Sequence, residues 1–295
     1  MSESLLLSDN IISLLQLLRD KDGKKGYLAA EELFALNDKN ILLPLIDILQ
    51  NDPIDMKWRT VKLLGSLGEP AFQPVLQIFI NGNVESREIA THILARLKDK
   101  RAVPALASTV KNQSEKNEVR NSAILALGEI RDTSVIPMLI QVLEDEGDSD
   151  NIRGESARTL GKIGDEQAYT PLVEMLNSKE HNEYMRHWAA FGLGYLGNSE
   201  AIDVLLPKLE DESLDVRCAA AEALGSLGDK RVINSLVLLR NSYTEETTTW
   251  GESVREIIDF AIDRLNQVSP IIYGGSPHDE YYNKPDPKSP KSNSK

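Results

Sequence analysis

One regularity limits what this chain can fold into more than any other. A basic residue recurs at Lys57, Arg87, Arg120, Arg153, Arg186, Arg217 and Arg255, at intervals of 30, 33, 33, 33, 31 and 38 residues. Such a period belongs to a stacked supersecondary unit, not to a single helix or strand. The surrounding pattern travels with it. Eight positions after the first six basic residues stand Gly65, Ala95, Gly128, Gly161, Gly194 and Gly225. Three residues later come Gly68, Lys98, Arg131, Gly164, Gly197 and Gly228, followed by Glu69, Asp99, Asp132, Asp165, Asn198 and Asp229.

Each element has a physical role. A glycine inside a helix costs roughly 1 kcal/mol relative to alanine, which is tolerable where a neighbouring helix approaches closely. The second glycine ends the helix in the left-handed conformation. The acidic residue after it caps the next helix start and favours its dipole. Pro44, Pro74, Pro104, Pro137 and Pro171 follow these turns and are expected inside the next helices, each removing one hydrogen bond and bending the axis. No run alternates with period two, so no sheet is expected. The reading is all-α, with about eight helix pairs at 5–38, 39–68, 69–98, 99–131, 132–164, 165–197, 198–228 and 229–268. A lone pair cannot bury its apolar stripe, so stacking must supply one continuous core along a right-handed superhelix.

Composition fits this reading and excludes some functions. Aromatic residues make up 5% of the chain, leaving Leu, Ile, Val and Ala to fill the core. The net charge of −13 opposes a nucleic-acid backbone or an anionic membrane as partner. Cys218 is the one cysteine, so neither an intrachain disulfide nor a cysteine-based zinc site can form, and its small-residue setting reads as an inert packing thiol. No stretch approaches the apolar length of a membrane span, and no signal peptide is apparent, so a cytoplasmic location is expected.

The segments Val119 to Asp132, Ile152 to Asp165 and Val216 to Asp229 resemble HEAT repeats of the phycobilisome-lyase type. Each carries the Arg, a small residue three later, the Leu-Gly and the closing acid. The resemblance covers 39–230 well. It implies that second helices line a concave face, with positions two, five and nine after the opening basic residue pointing into it. Those positions hold Arg59, Lys62 and Ser66; Ile89, His92 and Arg96; Ser122, Leu125 and Glu129; Glu155, Arg158 and Lys162; Trp188, Phe191 and Tyr195; Ala219, Glu222 and Ser226.

One repeat departs from its neighbours there. Tyr184, Trp188, Phe191 and Tyr195 fall at helical steps of four, three and four, placing four rings on one stripe. Rings in solvent leave apolar area hydrated, so such a stripe is either a binding surface or packing between repeats. The expected function is a non-catalytic scaffold holding a protein or peptide in the groove. Tyr184, His187, Trp188, Phe191 and Tyr195 would anchor it, with Arg59, Lys62, His92, Arg96, Glu155, Arg158 and Glu222 as charged selectors, and no cofactor. The alternative is a bilin lyase or tetrapyrrole-handling chaperone serving a phycobiliprotein subunit. The run from Arg186 to Gly194 is similar to the Arg-aromatic-aromatic-Ala-Ala-aromatic run of HEAT-type phycobilin lyases, in which His187, Trp188 and Phe191 would cradle the pigment. One aromatic of that run is here Gly192.

A di-iron hydroxylase resembling deoxyhypusine hydroxylase would need repeated His-Glu pairs. His92, His181, His187 and His278 are none of them followed by Glu, so no metal site is expected. No nucleophile-base pattern or phosphate-cradling glycine loop is present either. Two further departures come late. An insertion at 242–251 separates the last two helices and carries Trp250, placed either to cap the core or to touch a partner. Beyond the array, which is expected to span 1–268, residues 269–295 are rich in Pro, Ser, Lys and Asn and are expected to be disordered.

Overall fold

The computed structural model describes residues 7–178 and 182–266. They form eight helix pairs. The first four are α1 (Asp9–Leu18) with α2 (Gly23–Leu36), α3 (Leu42–Asn51) with α4 (Ile54–Trp58) and α5 (Thr60–Leu67), α6 (Glu69–Asn81) with α7 (Val84–Leu97), and α8 (Val103–Lys111) with α9 (Asn117–Ile130). The others are α10 (Ile136–Glu144) with α11 (Asp150–Ile163), α12 (Tyr169–Asn177) with α13 (Glu183–Leu196), α14 (Ala201–Leu205) with α15 (Leu214–Leu227), and α16 (Ile233–Asn241) with α17 (Val254–Asn266). Among the described residues the extended pairing is a single antiparallel bridge, Thr247 to Ser253. The expected tail, 269–295, lies outside the described residues.

Local chemistry explains where helices stop and start. The turn residues Gly68, Gly164, Gly197 and Gly228 have φ of 69°, 83°, 73° and 78°. Asn37, Lys98 and Arg131 adopt the same left-handed turn without being glycine. The acids that follow cap as expected: Asp99, Asp132, Asp165 and Asp229 accept from the backbone N–H two residues on, at 2.9 to 3.0 Å. Each opens a short 3-10 turn before the α-helix begins. That extra turn corrects the expectation for the prolines. Pro104 and Pro137 are second residues of α8 and α10, and Pro44 and Pro171 third residues of α3 and α12. In a first turn the N–H has no intrahelical partner, so its absence costs little. Pro74 alone of the five lies deeper, as the sixth residue of α6.

In three repeats the recurring basic residue joins the two helices. The Nε–H of Arg87, Arg120 and Arg153 donates to Phe79, Val110 and Leu143 carbonyls, each at 2.9 Å, near the C-terminus of the preceding helix. A cation there satisfies orphan carbonyls and meets the negative end of the dipole.

The chain groups into two compact units, one ending at Ala126 and the other running from Leu127. In the first, Leu45, Ile48, Leu64, Val75, Phe79, Leu94 and Leu106 are buried between first and second helices. In the second, Leu139, Leu160, Leu172, Leu193, Leu205, Leu224 and Leu236 play the same part. Full burial of each such side chain is worth about 1.5–3 kcal/mol. Second helices of the second unit also pack directly on one another, α11 on α13, α13 on α15 and α15 on α17. Glycine permits that approach. A Cβ on Gly161 would lie 2.1 Å from the Gly192 carbonyl oxygen, and one on Gly194 or Gly225 would lie 2.8 Å from the Cα of Ala223 or Ala261.

Candidate binding face on the second helices

The three positions expected to point outward behave differently, and the difference decides what is available for binding. The first is closed throughout. Arg59, Ile89, Ser122, Glu155, Trp188 and Ala219 are all buried, because a side chain two residues after the opening base lies between adjacent second helices. The second, five residues after that base, is half-open at Lys62, His92 and Leu125 but buried at Arg158, Phe191 and Glu222. The third is the open one. Ser66 and Arg96 are exposed, and Glu129, Lys162, Tyr195 and Ser226 are half-buried.

This corrects the aromatic stripe. Trp188 is 1% exposed, His187 2% and Phe191 5%; Tyr184 and Tyr195 are half-buried. Trp188 sits on Gly154 of α11, where an added Cβ would come within 2.6 Å of its Cδ1 and 2.9 Å of Tyr184 Cε1. The rings pack on one another. Centroids are 5.7 Å apart for Trp188 and Phe191, 5.1 Å for His187 and Trp188, and 6.0 Å for Tyr184 and Trp188. The Tyr184 hydroxyl donates to Asn151 Oδ1 at 3.0 Å, and burial raises its pKa. The outer side is covered from an unexpected direction, by Trp250 of the insertion, whose ring lies 4.4 Å from His187. A tetrapyrrole cradled by His187, Trp188 and Phe191 would need open ring faces, and these are filled by protein. Gly154 was the legible signal. It stands in mid-helix one residue after Arg153, with no role in the repeat, and its reason is the seat for Trp188.

Several proposed selectors are also structural. The Arg59 guanidinium rests on Gly26 and donates through Nη1 to the Leu18 and Asp20 carbonyls at 2.6 and 2.8 Å, joining the first two repeats. Glu155 and Arg158 pair with each other at 3.1 Å inside the α11–α13 layer, with the guanidinium carbon 5.9 Å from the Trp188 ring centroid. Glu222 is buried on α15. Cys218 is buried as well, and burial with nearby Glu222 and Asp215 pushes its thiol up to about 12, consistent with a packing role.

What remains accessible in the first unit is compact. Lys62 pairs with Glu31 at 2.7 Å and lies 4.1 Å over the Phe34 ring. Trp58 packs against His92 with centroids 4.8 Å apart. Burial lowers the His92 imidazole to about 4, so it is neutral at pH 7. Arg96 runs across Gly65, its Cβ 3.0 Å from where a glycine Cβ would stand, with its charge exposed. Sequence reasoning passed over Trp58, since it lies one residue ahead of the expected outward position. In the second unit the open row holds Lys162, paired with Glu129 at 2.6 Å, then Tyr195 and Ser226. Among the described residues no three His, Cys, Asp or Glu side chains stand together as a metal site would require, and no helix is long and apolar enough to cross a membrane.

Stacked helix pairs, a recurring Arg and capped turns define an α-helical repeat protein. More particularly, the chain belongs to the HEAT-repeat family: the family profile for HEAT repeats matches residues 73–150, 112–183 and 178–253, together more than half of its length. No curated protein matches it. Among solved structures it is similar to Escherichia coli YibA, at 23% identity over 88% of this chain and 93% of that one, with a TM-score of 0.51. It also matches the complex of CpcE and CpcF of phycocyanin lyase from Nostoc sp., at 18% identity over 90% and 98%, with a TM-score of 0.47. A third match is human deoxyhypusine hydroxylase in complex with glycerol, at 19% identity over 87% and 96%, with a TM-score of 0.36. Likeness at these identities concerns the fold alone.

Proposed function

We propose that this protein is a non-catalytic scaffold that receives a protein or peptide segment along its second helices. The observation that carries the reading is the gradient of exposure across those helices. Side chains two residues after the opening base are closed in every repeat, whereas the row nine residues after it is open or half-open from Ser66 to Ser226. That open row varies from repeat to repeat, as Ser, Arg, Glu, Lys, Tyr and Ser; the closed positions vary as well, but only the open row can present its variation to a partner, on a frame of turns and helix pairs that stays the same. Variation on an invariant frame is how a repeat array acquires specificity without changing its fold. In the first unit the Trp58–His92 pair offers a neutral, partly apolar floor. Arg96 and Lys62 beside it favour a segment carrying carboxylates, despite the acidity of the whole chain.

A photo-crosslinking residue placed in turn at Arg96 and Tyr195, and at the exposed first-helix positions Leu43 and Leu238, tests this reading in cell extract. Discrete adducts at Arg96 or Tyr195, absent at the first-helix positions, are expected. Adducts confined to Leu43 or Leu238 would place recognition on the opposite helices and refute the reading.

A further inference from the structure

The two places where the sequence departs most from its repeat, the ring-bearing helix α13 and the insertion at 242–251, meet in space. The insertion folds on itself: Thr248 N–H donates to the Glu252 carbonyl and Gly251 N–H to the Thr248 carbonyl, each at 2.9 Å. Its tip reaches two other repeats. Thr249 donates its backbone N–H to Asp215 Oδ1 at 3.0 Å and its hydroxyl to Asp215 Oδ2 at 2.5 Å. Trp250, the next residue, lays its ring against His187.

The seat and its occupant differ in character. Asp215 is 5% exposed in the first turn of α15, and His187 is 2% exposed on α13, with its Nδ1 3.1 Å from the Asp215 carbonyl oxygen. Both belong to helices packed on both sides. The occupant does not. Within 242–251 only Thr248 is buried, and Trp250 keeps 37% of its surface in solvent. The hold on the loop therefore rests on few contacts, the covered part of the Trp250 ring, Thr248 and the two Thr249–Asp215 hydrogen bonds, and a segment held by so few contacts opens at a fraction of the global cost. The recognition chemistry is specific all the same. A carboxylate that takes both the N–H and the hydroxyl of one residue selects Thr or Ser in a peptide chain, and an imidazole face beside it selects an aromatic side chain in the next position.

We propose that His187 and Asp215 form a recognition seat for a hydroxyl-aromatic residue pair in a protein segment, and that the 242–251 loop is an internal ligand which a partner segment of the same chemistry displaces. A tethered occupant acts at an effective concentration on the order of millimolar, so the seat responds only to a partner that exceeds this competition. The proposal is independent of the open row in the first unit.

The test uses the full chain and a fluorescent synthetic peptide of residues 244–252. Removing the internal ligand by the double substitution Thr249→Val and Trp250→Ala is expected to tighten peptide binding about tenfold or more over the unsubstituted protein. Adding Asp215→Ala, or replacing the Thr-Trp pair of the peptide by Val-Ala, is expected to abolish that gain. Equal or absent binding by a double variant of native helicity overturns the proposal. Hydrogen exchange on the unsubstituted protein decides the matter should the variant not fold. The Thr249 amide is expected to exchange far faster than amides in the middle of α15, and exchange at one common rate would make the loop a fixed part of the fold.

Discussion

Replacing Gly161 by alanine probes the close packing that shuts the second-helix face. Alanine in mid-helix stabilises by roughly 1 kcal/mol through propensity alone. Here the new methyl carbon would stand 2.1 Å from the Gly192 carbonyl oxygen, 2.6 Å from its Cα and 2.7 Å from its carbonyl carbon. All three are backbone atoms, so no side chain can turn aside; α11 and α13 must separate by about 1 Å to restore contact near 3.5 Å. Separation would loosen the rings wedged between them, and overpacking of this kind costs about 3 kcal/mol or more. The net expectation is a loss of about 2 kcal/mol, or a fall in Tm of roughly 4–8 °C for a unit of this size. Gly65→Ala is the internal control. Its Cβ would come closest to the Arg96 side chain, at 3.0 to 3.4 Å; the Arg96 Cδ and Nε can swing into solvent, and its Cβ needs a shift of only a few tenths of an ångström. That variant is expected to equal or slightly exceed the parent. Urea denaturation followed by circular dichroism compares the two, and a Gly161→Ala protein as stable as Gly65→Ala would refute the argument.

Two further outcomes follow from the same packing. Trp188→Ala, which would leave stability untouched if the ring faced solvent, should cost about 3–5 kcal/mol because it empties the seat on Gly154; a melting curve that overlays the parent would place the ring outside the core. His92 gives a pH signature. Its folded pKa of about 4 lies below the unfolded value of roughly 6.5, so the unfolded chain binds the extra proton. Stability should be full above about pH 6.5, decline by on the order of 3 kcal/mol as pH falls through about 4, and level off below. His92→Gln should lack that component, and an identical pH profile for variant and parent would remove the assignment.

Much of this was legible in the residues themselves. The left-handed turns at Gly164, Gly197 and Gly228 and the capping by Asp165 and Asp229 form because each responds to neighbours a few residues away. The array of helix pairs follows from the same local rules repeated at a fixed period. Pro74 lies inside its helix as expected, whereas Pro44, Pro104, Pro137 and Pro171 fall in first turns, since nothing in their own vicinity distinguishes a 3-10 start from an α start.

Whether a side chain on the second helices meets solvent was a different kind of question. Helical periodicity fixes which side of a helix Trp188 and Phe191 occupy, but not whether another helix stands there. Their burial depends on Gly154 and Gly161, about thirty residues earlier, and on a loop carrying Trp250 about sixty residues later. The chain alone thus specified helix pairs, turns and the order of stacking, which are short-range properties of backbone and cap. The distance between neighbouring second helices, set by which glycines meet and by where the late insertion folds back, exists only in three dimensions, and it decided which residues are left to bind.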